Sequence, residues 1–74
     1  MNVTAVLELH EDLTANAKVN WHLRTDPKIT LRKPAVTTEE GTNYIFDTKQ
    51  EALEALIAKV VDFGVSHLEV EIRV

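Results

Sequence analysis

Three histidines are the residues of this sequence that come closest to a chemical site. His10, His22 and His67 each fall on the outward side of a segment whose residues alternate as in a β-strand. Three imidazoles on one face of a sheet are suitable ligands for a transition metal. Polar side chains of every kind favour the outward side, however, so this shared parity is expected without any metal. We therefore expect three surface histidines and no metal site.

Three carboxylates offer a second possible chemistry. Glu8, Glu69 and Glu71 also face outward in the predicted strands, and two carboxylates held close together separate in pKa, as acid–base catalysis requires. An open sheet face, however, neither excludes water nor orients a substrate. With two glycines and no cysteine, the chain also lacks a glycine-rich phosphate loop and a thiol nucleophile. We expect a protein that is not an enzyme and that binds no cofactor.

A basic segment lies between two acidic ones. Residues 1–16 have a net charge of −3, residues 17–34 of +4 and residues 35–74 of −5, which together give the −4 of the whole chain. An uneven distribution of this kind is typical of a surface that meets a partner of opposite charge, or of charges that neutralise each other within the fold.

The basic segment also has the periodicity of a hairpin. Its alternation predicts two strands, Ala17–Arg24 and Lys28–Lys33, joined by a turn at residues 25–27 that contains Asp26 and Pro27. The outward side chains of the two strands would then lie side by side. We call this set the basic ribbon and take it as the candidate binding site: Lys18, Asn20, His22, Arg24, Lys28, Thr30 and Arg32.

The basic ribbon has three interpretations. It can bind another protein or nucleic acid, because Arg and Lys bind carboxylates and phosphates alike. Nucleic acid is the less favoured partner, since no aromatic side chain lies in the outward row and the chain is acidic overall. The third interpretation is a solvated face whose charges are partly neutralised by acids on neighbouring strands.

Among the functions that involve a partner, we favour a small protein-binding accessory, adaptor or inhibitor domain. A separate possibility is a homodimer joined along an edge strand, because the alternating run Leu68–Val74 can pair with its own copy across a two-fold axis.

Alternation also predicts the strands that must position these groups. Trp21, Tyr44 and Phe46 fall on the inward side and are expected in the core. Besides the two strands of the basic segment, we predict a strand over Val3–His10, a loop over Glu11–Asn16, a short hairpin of Val36–Thr38 and Asn43–Phe46, and a last strand over Val65–Val74.

One segment has helical periodicity. Thr48 and Glu51 have the spacing of a capping box at its start, and Gly64 is a suitable residue just after its end. Between them the apolar residues recur as one stripe, formed by Leu53, Leu56, Ile57, Val60 and Phe63.

These elements predict one α+β domain over residues 1–74. Its two layers are a mostly antiparallel sheet of four to five strands and one amphipathic helix packed on one face, in the order β-β-β-(β)-α-β. We expect the last strand antiparallel beside the first, and the strand over Lys28–Lys33 beside Ala17–Arg24. The start of the chain lacks a basic segment followed by an apolar run, and no apolar run is long enough to cross a membrane. A cytoplasmic protein is expected, and the residues suggest no known family.

Overall fold

A computed structural model describes residues 1–11 and 19–74 of the chain, and in this part it contains one helix and one sheet of five strands. The elements in chain order are β1 (Asn2–Glu11), β2 (Val19–Asp26), β3 (Ala35–Thr38), β4 (Gly41–Phe46), α1 (Lys49–Asp62) and β5 (His67–Arg73). The rest of the predicted loop after Glu11, and the predicted start of the second strand with Lys18, lie outside the described residues. The helix in the described part is not long and apolar enough to cross a membrane.

The sheet has the strand order β3-β4-β2-β1-β5, and every neighbouring pair is antiparallel except β1 with β5. The predicted two-layer α+β fold with one helix and a mostly antiparallel sheet is therefore confirmed. The antiparallel direction expected for the last strand is wrong. β1 and β4 are both antiparallel to β2, so they run in the same direction. α1 reverses the chain after β4, so β5 runs in the direction of β4 and is therefore parallel to β1.

The predicted strand over Lys28–Lys33 is also wrong. β4 occupies the place beside β2 that this strand would need, since Trp21 lies opposite Phe46 and Leu23 opposite Tyr44. The backbone of residues 27–33 lies outside the sheet, whereas the Pro34 carbonyl accepts a hydrogen bond from the Ile45 amide of β4 over 2.9 Å.

Residues 27–34 form instead a connection that covers part of the core. Ile29 is only 4% exposed, Leu31 packs against the core, and the Ile29 amide donates to the Thr25 hydroxyl over 2.8 Å. The Lys33 Nζ atom lies 5.2 Å from the centre of the Phe46 ring, a cation–π distance. The alternation in this segment thus reflects one side packed on the core and one side in water, without a neighbouring strand.

One side of the sheet, which we call the helix side, carries the core. Alternate residues of β1 are fully buried there, and the core includes residues from every layer: Val3, Ala5, Leu7, Leu23, Tyr44, Phe46, Ala52 and Leu56. Trp21 packs against the same cluster, as predicted. The residues of opposite parity face the other side, which we call the open side.

The ends of α1 follow the sequence signals. The Thr48 hydroxyl accepts a hydrogen bond from the Glu51 amide over 3.1 Å, which satisfies one of the free amides of the first turn. Gly64 follows the helix with a φ of +63°, a conformation that glycine adopts without steric cost. The predicted apolar stripe is only partly covered, because Leu56 is buried whereas Ile57 and Phe63 are more than half exposed.

Candidate functional site

The open side of the sheet contains a depression of about 510 Å³, which we call the histidine depression. The strand pairing builds its floor, because His22 on β2 lies opposite Glu8 on β1 and Ile45 on β4. The turn between β3 and β4 forms its wall. The lining residues are Glu8, His10, His22, Arg24, Val36, Thr38, Glu39, Glu40 and Asn43.

Two imidazoles are stacked in the histidine depression. The ring centres of His10 and His22 are 3.8 Å apart and their planes differ by 13°. His10 Nε2 also lies 2.7 Å from the Glu8 carboxylate. The hydrogen bond from His10, together with the charges of His10, Arg73 and Arg24, lowers the pKa of Glu8 against the opposing effect of burial. Burial first, and the charge of His10 second, lower the pKa of His22 against the opposing charge of Glu8, and thereby favour its neutral form.

Arg24 is held by groups of the same protein. Its Nη1 atom lies 3.0 Å from the Glu40 carboxylate and donates to the side-chain oxygen of Asn43 over 3.2 Å, and its side chain is only 16% exposed. Asn43 is buried, and its amide nitrogen lies within hydrogen-bond distance of the Thr38 hydroxyl and the Gly41 carbonyl. Glu40 therefore compensates the charge of the guanidinium within the chain, and the mostly buried side chain presents little surface to a phosphate or a partner's carboxylate.

The structure does not assemble the basic ribbon. Asn20, His22 and Arg24 lie on the open side of β2, as predicted. Lys28 lines a second depression, of about 570 Å³, together with Arg24. Thr30 and Arg32 are exposed on the connection and line neither depression, and Lys18 lies outside the described residues. Binding by these residues stays a prediction, but the described ones do not form a two-stranded basic surface.

The three histidines do not converge either. His67 lies opposite Asn2, at the other end of β1 from His10, and contacts Glu69 over 3.4 Å. His10 and His22 are close, but the nitrogen lone pairs of two nearly parallel stacked rings lie in separate planes and do not point at a common atom. In residues 1–11 and 19–74, no group of three or more histidine, aspartate or glutamate side chains is arranged to hold a metal ion.

The carboxylates predicted to be neighbours are separated by a cation. Arg73 lies opposite Glu8 in the sheet, 3.7 Å from its carboxylate, and also pairs with Glu71. Glu69 lies opposite Thr4. Arg73 is among the groups that lower the pKa of Glu8, after the hydrogen bond from His10, and a lowered pKa is the opposite of what a general acid requires.

The outer edge of β5 carries the other candidate surface. Val70 and Ile72 face the helix side opposite Ala5 and Leu7, which are completely buried, yet they are 40% and 47% exposed. We define these two residues, with the outward backbone edge of β5, as the β5 surface.

The exposure of the β5 surface follows from the width of the helix. A helix with its side chains is about 10 Å across, whereas five strands at a spacing of about 4.8 Å span roughly twice that distance. α1 lies closest to β2 and β4, and the connection of residues 27–34 covers core residues beside it. The sequence indicated the run Leu68–Val74 as a possible edge for pairing with a second copy, but not the exposure of Val70 and Ile72 on the helix side. The ratio of five strands to one helix already indicates that part of the helix side is uncovered.

The two edges of the sheet differ. β3 has only four residues and follows Pro34, a residue that interrupts strand pairing. β5 has seven residues without a proline or a glycine, and in the described part of the chain its backbone pairs only with β1. A long edge strand of this kind presents unpaired backbone groups to a further strand.

Comparison of the chain with known protein families, with curated proteins and with solved structures found no match.

Proposed function

We propose that this chain is a small non-catalytic domain that binds another protein through the β5 surface. The observation that carries the proposal is the exposure of Val70 and Ile72 beside the fully buried Ala5 and Leu7. Apolar side chains grouped at an unpaired strand edge are typical of protein interfaces in which the partner adds a strand. The partner's backbone would hydrogen-bond to the outer edge of β5, and its apolar side chains would cover Val70 and Ile72.

The open side supports a binding function less well. Its charged groups pair with each other, as Arg24 does with Glu40 and His10 with Glu8. The same pairing weighs against nucleic acid as the partner, because phosphate binding needs cations that are free to replace counterions. Catalysis in the histidine depression is disfavoured because the depression is open to solvent and does not enclose a substrate. We place the domain in the cytoplasm, since a chain without cysteine suits a reducing compartment.

To test the proposal, the wild type and two matched variants are each used as bait, and the proteins that they capture are compared. Ile72→Lys puts a charge on the β5 surface, whereas Ile57→Lys puts the same charge on α1 at a residue that is 56% exposed. We expect proteins captured by the wild type to be captured by Ile57→Lys and lost with Ile72→Lys. Equal capture by all three, once circular dichroism shows that each is folded, would place the binding surface elsewhere.

A further inference from the structure

We infer that the partner of the β5 surface is a second copy of this chain, paired antiparallel through β5 across a two-fold axis; this inference rests on the proposed function. The two sheets would join into one of ten strands, five from each copy. Such an interface uses the same strand twice, so β5 must be complementary to itself. The side chains of β5 meet that condition in one register.

Side chains directly opposite each other in a sheet lie on the same side of it. A register that keeps the apolar side chains together therefore pairs residues of equal parity. In β5 the helix side carries Leu68, Val70 and Ile72, and the open side carries His67, Glu69, Glu71 and Arg73. Charge then decides between the possible registers.

The register with Glu71 on the two-fold axis places Glu69 opposite the partner's Arg73, and by symmetry this ion pair forms twice. On the helix side, Val70 lies opposite the partner's Ile72, also twice, so that each of the two exposed apolar residues covers the other. One like-charged contact, between Glu71 and the partner's Glu71, remains on the axis. Arg73 of each copy lies beside this contact, because it pairs with Glu71 of its own chain.

The neighbouring registers are less favourable. With Val70 on the axis, Glu69 faces the partner's Glu71 twice, and like charges directly opposite each other destabilise a strand pair. With Ile72 on the axis, Glu71 faces the partner's Arg73, but the overlap falls to the last residues of the strand and Val70 no longer meets a residue of β5. The register with Glu71 on the axis combines two attractive ion pairs with the pairing of both exposed apolar residues.

Charge reversal tests this register in solution. Glu69→Arg places two like-charged pairs in the dimer, and Arg73→Glu does the same with the opposite sign. We expect the wild type to be dimeric by sedimentation velocity, and each variant to dissociate with a Kd raised roughly thirtyfold. An equimolar mixture of the two variants restores both ion pairs, so we expect it to form a heterodimer. The control Glu54→Arg changes an exposed charge on α1 and is expected to stay dimeric.

Arg73 also contacts Glu8 and Glu71 within the chain, so a second measurement does not depend on its replacement. The chain has no cysteine, and Glu71→Cys places one thiol of each copy on the axis, at the short Cα separation of opposite residues in an antiparallel pair. We expect Glu71→Cys to form a disulfide-linked dimer on oxidation, and Glu69→Cys, which faces the partner's Arg73, to form far less of it.

The outcomes separate this inference from the proposed function. A wild type that stays monomeric up to about 0.5 mM would overturn the second copy as the partner, because a Kd above that concentration corresponds to very weak association. The proposed function then stands only if Ile72→Lys still abolishes capture of a different protein, and it fails as well if capture is unchanged. A dimer that persists in both single charge variants, with no gain in their mixture, would overturn the pairing through β5.

Discussion

The connection of residues 27–34 is expected to contribute strongly to stability although it belongs to no regular element. Ile29 is 4% exposed, so Ile29→Ala removes a nearly complete burial and leaves a cavity where the side chain was. Replacing a buried Ile by Ala costs about 2–5 kcal/mol, and a connection at the surface can partly collapse, so we expect about 2–3 kcal/mol. The whole domain should be stable by roughly 4–11 kcal/mol, because folded chains gain about 0.05–0.15 kcal/mol per residue.

The assay is urea denaturation of Ile29→Ala beside Thr30→Ala, the exposed neighbouring position on the same connection. The loss of 2–3 kcal/mol corresponds to a fall in Tm of roughly 10–20 °C for a domain of this size, whereas Thr30→Ala should change stability by less than about 0.5 kcal/mol. Hydrogen exchange adds an independent readout: the amides of residues 30–33 should exchange faster than those of β2, since they lie outside the sheet. A cost for Ile29→Ala below about 1 kcal/mol, or strand-like protection at residues 30–33, would refute the packing described for this connection.

Three further predictions concern local features. Thr48→Ala removes the side-chain acceptor for the Glu51 amide and should cost about 1 kcal/mol in denaturant unfolding; no change would mean that the cap does not stabilise α1. Gly64→Ala places a side chain at a φ of +63° and should destabilise by about 1 kcal/mol, whereas an unchanged midpoint would contradict that conformation. Burial and the charge of His10 lower the pKa of His22 in the folded state, so the unfolded chain binds a proton more readily. The free energy of unfolding is therefore highest above about pH 6.5, the ordinary pKa of histidine, and falls as the pH drops below it. His22→Gln should weaken this acid dependence in unfolding curves measured between pH 7 and pH 5, and an identical dependence in both proteins would count against the stacked pair.

Most of the elements could be predicted because each has a local signal. Alternation locates β1, β2, β4 and β5, and the capping box locates the start of α1. The same signal failed at Lys28–Lys33, because alternation reports that one side of an extended segment is buried and does not report a neighbouring strand. Ile29 and Leu31 do face the core, but no strand hydrogen-bonds beside them.

The candidate sites depend on which strands are neighbours, and parity does not provide that. The pairing of Arg24 with Glu40 and Asn43 requires β4 beside β2, and nothing local to Arg24 indicates it. The exposure of Val70 and Ile72 depends on where α1 lies over the sheet, which a pattern within β5 does not encode. Strand and helix types were therefore predictable, and so was the possibility of a face whose charges neutralise each other or of an edge strand that pairs with a copy. The particular partners of Arg24 and the exposure of Val70 and Ile72 were not.

Hydrogen exchange of β5 as a function of protein concentration is the most direct test of the central claim, that the outer edge of β5 is an interface with a second copy. Half of the β5 amides point away from β1 and are free to exchange in a monomer. The account predicts that these amides become protected as the concentration rises through the dimer Kd, while the amides of β3, the other edge, do not change. Exchange at β5 that is the same at every concentration, up to about 0.5 mM, would contradict it.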